Sequence, residues 1–136
     1  MKILRIRLKN LNSLRGDHAI NLDEEPLSSA GIFAITGATG AGKSTLLDAI
    51  TLALFGRSAR YGTAPNPEDV MSRHTGECRA EVEFEVAQGR FTAAWHLNRA
   101  RGQPEGKVQP ARRFIYDAQG ETLAQNITQA DLKIVE

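Results

Sequence analysis

The sequence contains one cysteine, few aromatic residues and almost no excess of charge. Because Cys78 is alone, an internal disulfide and a zinc site built on several cysteines are both excluded. The 17 basic and 16 acidic residues give a formal net charge of +1, so overall charge does not attract the chain to nucleic acid. The scarcity of cysteine is typical of a reducing compartment, and we expect a cytoplasmic protein.

Long hydrophobic runs are also missing. The longest apolar stretch, residues 46–55, is interrupted by Asp48 and is too short to span a bilayer. The first residues are a patterned strand and carry no signal-peptide features, so we expect no membrane association. Apolar residues make up 41% of the 136 positions, which is enough for a core, and the length predicts one domain over residues 1–136.

Alternation of apolar and charged residues predicts three long strands. In residues 1–11, Arg5, Arg7 and Lys9 share one face of the predicted strand, opposite its apolar face. In residues 79–86, the row Glu81, Glu83 and Glu85 lies opposite the apolar face in the same way. A turn then leads to a returning strand that contains Trp95 on its apolar side. If the first two strands are neighbours, ion pairs between them account for both charged rows.

The remaining segments predict a mixed α/β fold. An apolar helix is expected over residues 43–55, capped by Gly56, and its composition predicts burial on several sides. Shorter elements complete the prediction: strands at 19–22, 31–36 and 112–116, a helical turn within 68–73, and a helix opening at Thr128.

One motif indicates chemistry. Residues 37–44 read GATGAGKS and satisfy the phosphate-loop pattern G-x-x-x-x-G-K-[ST] at every position. A predicted strand precedes the loop and a predicted helix follows it, as a phosphate loop requires. The predicted contributors from the motif are Gly37, Ala38, Thr39, Gly40, Ala41, Gly42, Lys43, Ser44 and Thr45.

The physics of the motif indicates a nucleoside triphosphate with magnesium. The glycines let successive N–H groups converge on an anion, and the helix that follows adds the positive end of its dipole. Lys43 is expected to reach the β- and γ-phosphates, Thr45 to contact the α-phosphate, and the Ser44 hydroxyl to ligate Mg²⁺.

The residues needed for hydrolysis are not evident. A metal-binding acid should follow a strand next to the phosphate loop, and the nearest match is residues 113–117. Its acid, Asp117, opens an obvious turn. No guanine-reading motif is found either, so we predict a nucleotide cradle with no catalytic residue within these 136 positions.

The chain resembles the start of the bacterial SbcC family, the SMC-like ATPase subunits of the SbcCD nuclease. The segments that carry the resemblance lie at 1–14, 31–37, 43–50, 71–84 and 98–104. The resemblance implies the N-terminal lobe of an ABC-type head, with a mostly antiparallel sheet around the phosphate-loop helix. A coiled coil and a C-terminal lobe with the remaining ATPase motifs would follow.

Further expectations come from the resemblance alone. It implies ATP and Mg²⁺ as cofactors, nucleotide contacts at Asn12 and Ser13, and further contacts at Met71, Ser72 and Arg73. It implies an SbcD-like nuclease subunit, DNA, a second SbcC head and the chain's own C-terminal lobe as partners. The activity implied is ATP-dependent cleavage of DNA ends and hairpins in repair and recombination, with the nuclease centre on the SbcD side.

Two other functions remain open from the sequence. The first is a small stand-alone phosphate-loop kinase or GTPase, which would need an acid and a base-reading motif. The second is a non-catalytic DNA-binding module that uses scattered basic residues, namely Arg5, Arg7, Lys9, Arg99, Arg101, Arg112 and Arg113.

Overall fold

An antiparallel sheet of six strands dominates the computed structural model, which describes residues 2–23, 43–57 and 67–124. The strands are β1 Lys2–Leu11, β2 Leu14–Asn21, β3 Glu77–Val86, β4 Gly89–Asn98, β5 Arg112–Asp117 and β6 Thr122–Ala124. Their spatial order in the sheet is β2-β1-β3-β4-β5-β6. The chain thus belongs to the mostly antiparallel α/β type that the sequence predicts.

The two faces of the sheet differ as the alternating pattern requires. In the register of β1 and β3, Ile6 lies opposite Val82 on the apolar face. On the charged face, Arg5 forms an ion pair with Glu83 at 3.8 Å. Lys9 donates a hydrogen bond to Glu77 at 2.5 Å. The two strands are therefore neighbours. A predicted ion pair between their charged rows is confirmed for Arg5 and Glu83, whereas Lys9 pairs with Glu77, outside the predicted row of glutamates.

Helix α1, Lys43–Phe55, lies on the apolar face of the sheet, against β1, β3 and β4. Its buried side chains include Ala49, Leu52 and Ala53, and Trp95 of β4 is buried in the same core. The predicted bounds of the helix are confirmed. Gly56 follows with a φ of +72° and donates its N–H to the Leu52 carbonyl at 2.8 Å, which confirms the predicted cap.

The prediction that α1 is buried on several sides is wrong for two of its apolar residues. Leu47 is 59% exposed and Phe55 is 50% exposed. A helix packed on one sheet buries a single stripe, and both side chains fall outside that stripe. Hydrophobicity alone could not show which apolar residues of the helix would meet the sheet.

Other boundaries differ from the prediction for local reasons. Strand β2 begins at Leu14 rather than at residue 19, because its polar residues pair with β1 along an exposed edge. Helix α2 is only Pro67–Val70, and Met71 instead forms a bridge with Leu11. The short strand β6 was not expected. The predictions of a strand at 31–36 and of a helix at Thr128 fall outside the described residues.

Among the residues that the structure describes, no helix has the length and apolar composition needed to cross a membrane.

Candidate nucleotide-binding site

The amino end of α1 has the properties expected of an anion-binding helix terminus. The helix begins at Lys43, at the end of the glycine motif, and its first turn contains no acidic residue. Ser44 is exposed, whereas Thr45 is 4% exposed. The first N–H groups of a helix lack partners within it, so this end can receive negative charge. Gly37 to Gly42 lie outside the described residues.

The structure brings together the two other segments predicted to contact nucleotide. Asn12 donates its backbone N–H to the Val70 carbonyl at 2.8 Å, and Ser72 donates its own to the Asn10 carbonyl at 2.8 Å. The Ser72 hydroxyl also donates to the Asn12 carbonyl at 2.7 Å. These bonds join residues 10–13 and 70–73 in one small unit, although about 60 positions separate the two segments in sequence.

Two asparagines shape this unit. Asn10 and Asn12 have φ values of 53° and 47°, in the left-handed region that asparagine tolerates better than most residues. The Asn10 side chain donates to the Glu77 carbonyl at 3.0 Å and accepts the N–H of Gly16 at 2.8 Å. It therefore ties the end of β1 to both β3 and β2.

The side chains of the unit differ in what they can offer a ligand. Met71 and Ser72 are buried, at 6% and 3% exposure, and the Ser72 hydroxyl is engaged as described. Ser13 and Arg73 are exposed, and Asn12 is half-buried. The accessible groups of the predicted set are therefore Asn12, Ser13 and Arg73. Asn10 was not among the residues predicted for the site. The available signal was the pair of asparagines, Asn10 and Asn12, on either side of the last residue of β1.

The carboxyl end of α1 is held by a residue with no predicted role at this site. Arg113 of β5 is 2% exposed and donates from Nη2 to the Leu54 carbonyl at 2.8 Å. From the sequence, Arg113 was predicted only as one of several cations of the DNA-binding alternative. The available signal was its position in β5, where alternation places it on the same face as Ile115.

The charged face of the sheet forms a separate network of contacts. The His96 imidazole lies 3.6 Å from Glu81. The interaction with His96, reinforced by the charges of Arg79 and Arg7, lowers the pKa of Glu81 against the opposing effect of burial. Arg112 packs over the Phe114 ring at 5.1 Å, and Phe114 stacks on Tyr116.

Several basic residues of the DNA-binding alternative already have protein partners. Arg5 and Lys9 pair with glutamates of β3, and Arg99 donates to the Gly106 carbonyl at 3.2 Å. Arg113 is buried against α1. Arg101 and Arg112 are the exposed members of the set that lie after β4.

No cluster of three or more potential metal ligands occurs among the described histidines, cysteines, aspartates and glutamates. Asp117 accepts the N–H groups of Gln119 and Glu121 at 2.9 Å each, so its predicted place at the start of a turn is confirmed. Its carboxylate is already engaged in this turn.

Comparison with known proteins places the chain in a family. Residues 5–135 match the AAA domain family. The chain is 44% identical to the SbcC subunit of the SbcCD nuclease of Pseudomonas aeruginosa over 133 residues, which cover 86% of this chain and 11% of that protein. It is 37% identical to the protein of the same name from Rhodobacter capsulatus, over 91% of this chain and 12% of the relative.

A more distant relative is a probable DNA double-strand break repair Rad50 ATPase of Aquifex aeolicus, 35% identical over 63% of this chain and 8% of that protein. The chain thus spans only about a tenth of the length of these relatives. The predicted resemblance to the SbcC family is confirmed, and it covers most of the chain. The chain belongs to the AAA domain family.

Proposed function

We propose that this chain is the ATP-binding lobe of an SbcC-like, ABC-type ATPase head that acts in DNA repair and recombination. The observation that carries the proposal is the position of α1. The helix starts at the lysine of the phosphate-loop motif, presents a first turn free of acidic residues, and packs its buried stripe on the sheet. Similarity to SbcC proteins and to a Rad50 ATPase supports the same function.

Residues at the amino end of α1 fit a magnesium-bound triphosphate. The N–H groups of the first turn and the Lys43 ammonium would hold the phosphates, and residues 37–42 of the motif would supply further N–H donors. The exposed Ser44 hydroxyl would be the protein ligand of Mg²⁺, which neutralises phosphate charge when bound. Nothing acidic in the first turn repels the phosphates.

The unit formed by residues 10–13 and 70–73 would contact the remainder of the nucleotide. Ser13 and Arg73 are exposed there, and Asn12 is half-buried. The buried Met71 and Ser72 would support these groups, because the Ser72 hydroxyl fixes the backbone of Asn12. We assign the accessible side chains to direct contact and the buried ones to support.

The names of the relatives suggest the assembly. Relatives named as subunits of the SbcCD nuclease lead us to propose an SbcD-like subunit and DNA as partners. A second head and a C-terminal lobe of the same protein would complete the ATPase site, with ATP closing the heads and hydrolysis releasing them. We propose that the 136 residues alone bind ATP without hydrolysing it, in the cytoplasm.

The decisive experiment measures MgATP binding by equilibrium titration of the wild-type protein and of Lys43→Ala. We expect the substitution to weaken binding at least tenfold, because it removes the positive charge that we propose for binding the β- and γ-phosphates. Lys107→Ala is the matched control, since Lys107 is exposed in the loop after β4. Equal affinities in wild type and Lys43→Ala, or stronger binding of GTP than of ATP, would overturn the proposal.

A further inference from the structure

Helix α1 contains no basic residue in its last turn, and a cation from the sheet takes that place. The Nη2 atom of Arg113 donates to the Leu54 carbonyl at 2.8 Å, one residue before the end of the helix. The last carbonyls of a helix lack partners within it and carry partial negative charge. Arg113 therefore supplies a hydrogen bond and a complementary charge together.

The contact between this arginine and the helix end is also steric. A Cβ atom built on Gly56 would lie 3.0 Å from Cδ of Arg113 and 3.2 Å from its Nε and Nη1 atoms. The arginine side chain thus passes directly beside the glycine that ends the helix. The carboxyl end of α1 is held to β5 by packing as well as by the hydrogen bond.

Hydrophobic packing holds α1 on the sheet through a buried stripe that includes Ala49, Leu52 and Ala53. Such packing is non-directional, whereas a hydrogen bond has a preferred geometry. The bond from Arg113 to Leu54 is directional and joins the end of the helix to a fixed strand. A helix moves nearly as a rigid rod, so a shift at this end reaches its first turn.

We propose that Arg113 is a positioning residue for nucleotide binding, one that fixes the axial position of α1 so that its first turn meets the phosphates. This inference rests on the proposed function, because it assumes that the amino end of α1 binds MgATP. Arg113 acts through the helix, at the end opposite to the phosphates. A misplacement of about 1 Å is enough to weaken such contacts substantially.

The test compares MgATP affinity and thermal unfolding in the protein expressed from its whole gene. Arg113→Met removes the hydrogen bond and the charge but keeps a flexible apolar stem that can pack in the same place. We expect Arg113→Met to weaken MgATP binding about fivefold to tenfold at a temperature at which the variant is folded. Arg113→Lys, which can still reach one carbonyl, should recover part of that loss.

The matched control is Arg112→Met, because Arg112 is the neighbouring residue on the other face of β5. It should leave the affinity unchanged. Unchanged affinity in both Arg113 variants would overturn the inference, as would a loss that follows only the fraction of unfolded protein. Should Arg113→Met not fold, Arg113→Lys decides alone, with about threefold weaker binding expected. If the wild type shows no Lys43-dependent binding, the proposed function itself fails.

Discussion

Gly56 ends the phosphate-loop helix in a conformation that other residues adopt at a cost. Its φ is +72°, and the space where a side chain would begin is filled by Arg113. Gly16, in β2, has a similar φ of +80° but nothing within 4 Å of the position of a Cβ. The two glycines therefore share the backbone conformation and differ in their surroundings.

We expect Gly56→Ala to lower the free energy of unfolding by about 2 kcal/mol, from backbone strain and displacement of the arginine. Gly16→Ala should lower the free energy of unfolding by only about 1 kcal/mol, since backbone strain acts there without a steric contact. Urea unfolding of both variants measures the difference. Equal losses would show that Arg113 yields to the new methyl group without cost.

At the scale of elements, α1 illustrates how uneven the burial of an apolar helix can be. Leu52 is completely buried and Leu47 is 59% exposed, although both are leucines in the middle of the same helix. The sheet covers the stripe that includes Leu52, and the stripe that includes Leu47 faces away from it. Identical substitutions at the two positions therefore separate packing from intrinsic helix propensity.

We expect Leu52→Ala to lower the free energy of unfolding by about 3 kcal/mol, because it removes buried surface and leaves a cavity. Leu47→Ala should change it by no more than about 0.5 kcal/mol. Both are measured by chemical denaturation of the chain. A large loss from Leu47→Ala would contradict the exposure of that side chain.

Elements with strong periodicity were predictable from the sequence. Alternation identified β1, β3 and β4, and the glycine after an apolar run gave the end of α1. Strand β2 was predicted too short because the polar residues from Arg15 to His18 give no apolar alternation. Its start is set by pairing with β1, which is a tertiary effect.

The parts of the candidate site were predictable from the sequence, but the contacts between them were not. The motif predicted that α1 binds phosphate, and the family resemblance pointed to the segments around Asn12 and Ser72. Neither gave the bridge between Leu11 and Met71, because backbone pairing of distant segments leaves no local pattern. Arg113 was missed for a related reason. In a sequence, an arginine that will be buried cannot be distinguished from a surface arginine, because its partner is not known.

For the molecule as a whole, one face of the sheet links stability to pH. Glu81 lies in the central strand β3, beside His96 and between strands that carry Arg7 and Ala94 opposite it. Its pKa is held below the ordinary value of 4.5, chiefly by the interaction with His96. A carboxylate with a lowered pKa in the folded state stabilises that state whenever it is ionised.

Glu81→Gln should therefore lower the free energy of unfolding by up to about 1 kcal/mol near neutral pH. The difference from wild type should persist down to the ordinary carboxylate pKa and vanish as the pH falls through the lowered value in the folded protein. Urea titrations between about pH 3 and pH 7 measure it. The control is Glu105→Gln, at an exposed loop position. If the difference in stability between wild type and Glu81→Gln grew on acidification, it would contradict a lowered pKa of Glu81.

The strand order has a consequence for the time course of folding. Strands β3 and β4 are adjacent in sequence and can pair early, as a hairpin does, within microseconds. Strand β1 must instead find β3 across a long stretch of chain, since Lys9 and Glu77 are 68 positions apart. During synthesis on the ribosome, α1 emerges before the β3–β4 hairpin that forms much of its support. Its apolar stripe then stays in contact with water, or with a chaperone, until that hairpin has left the exit tunnel.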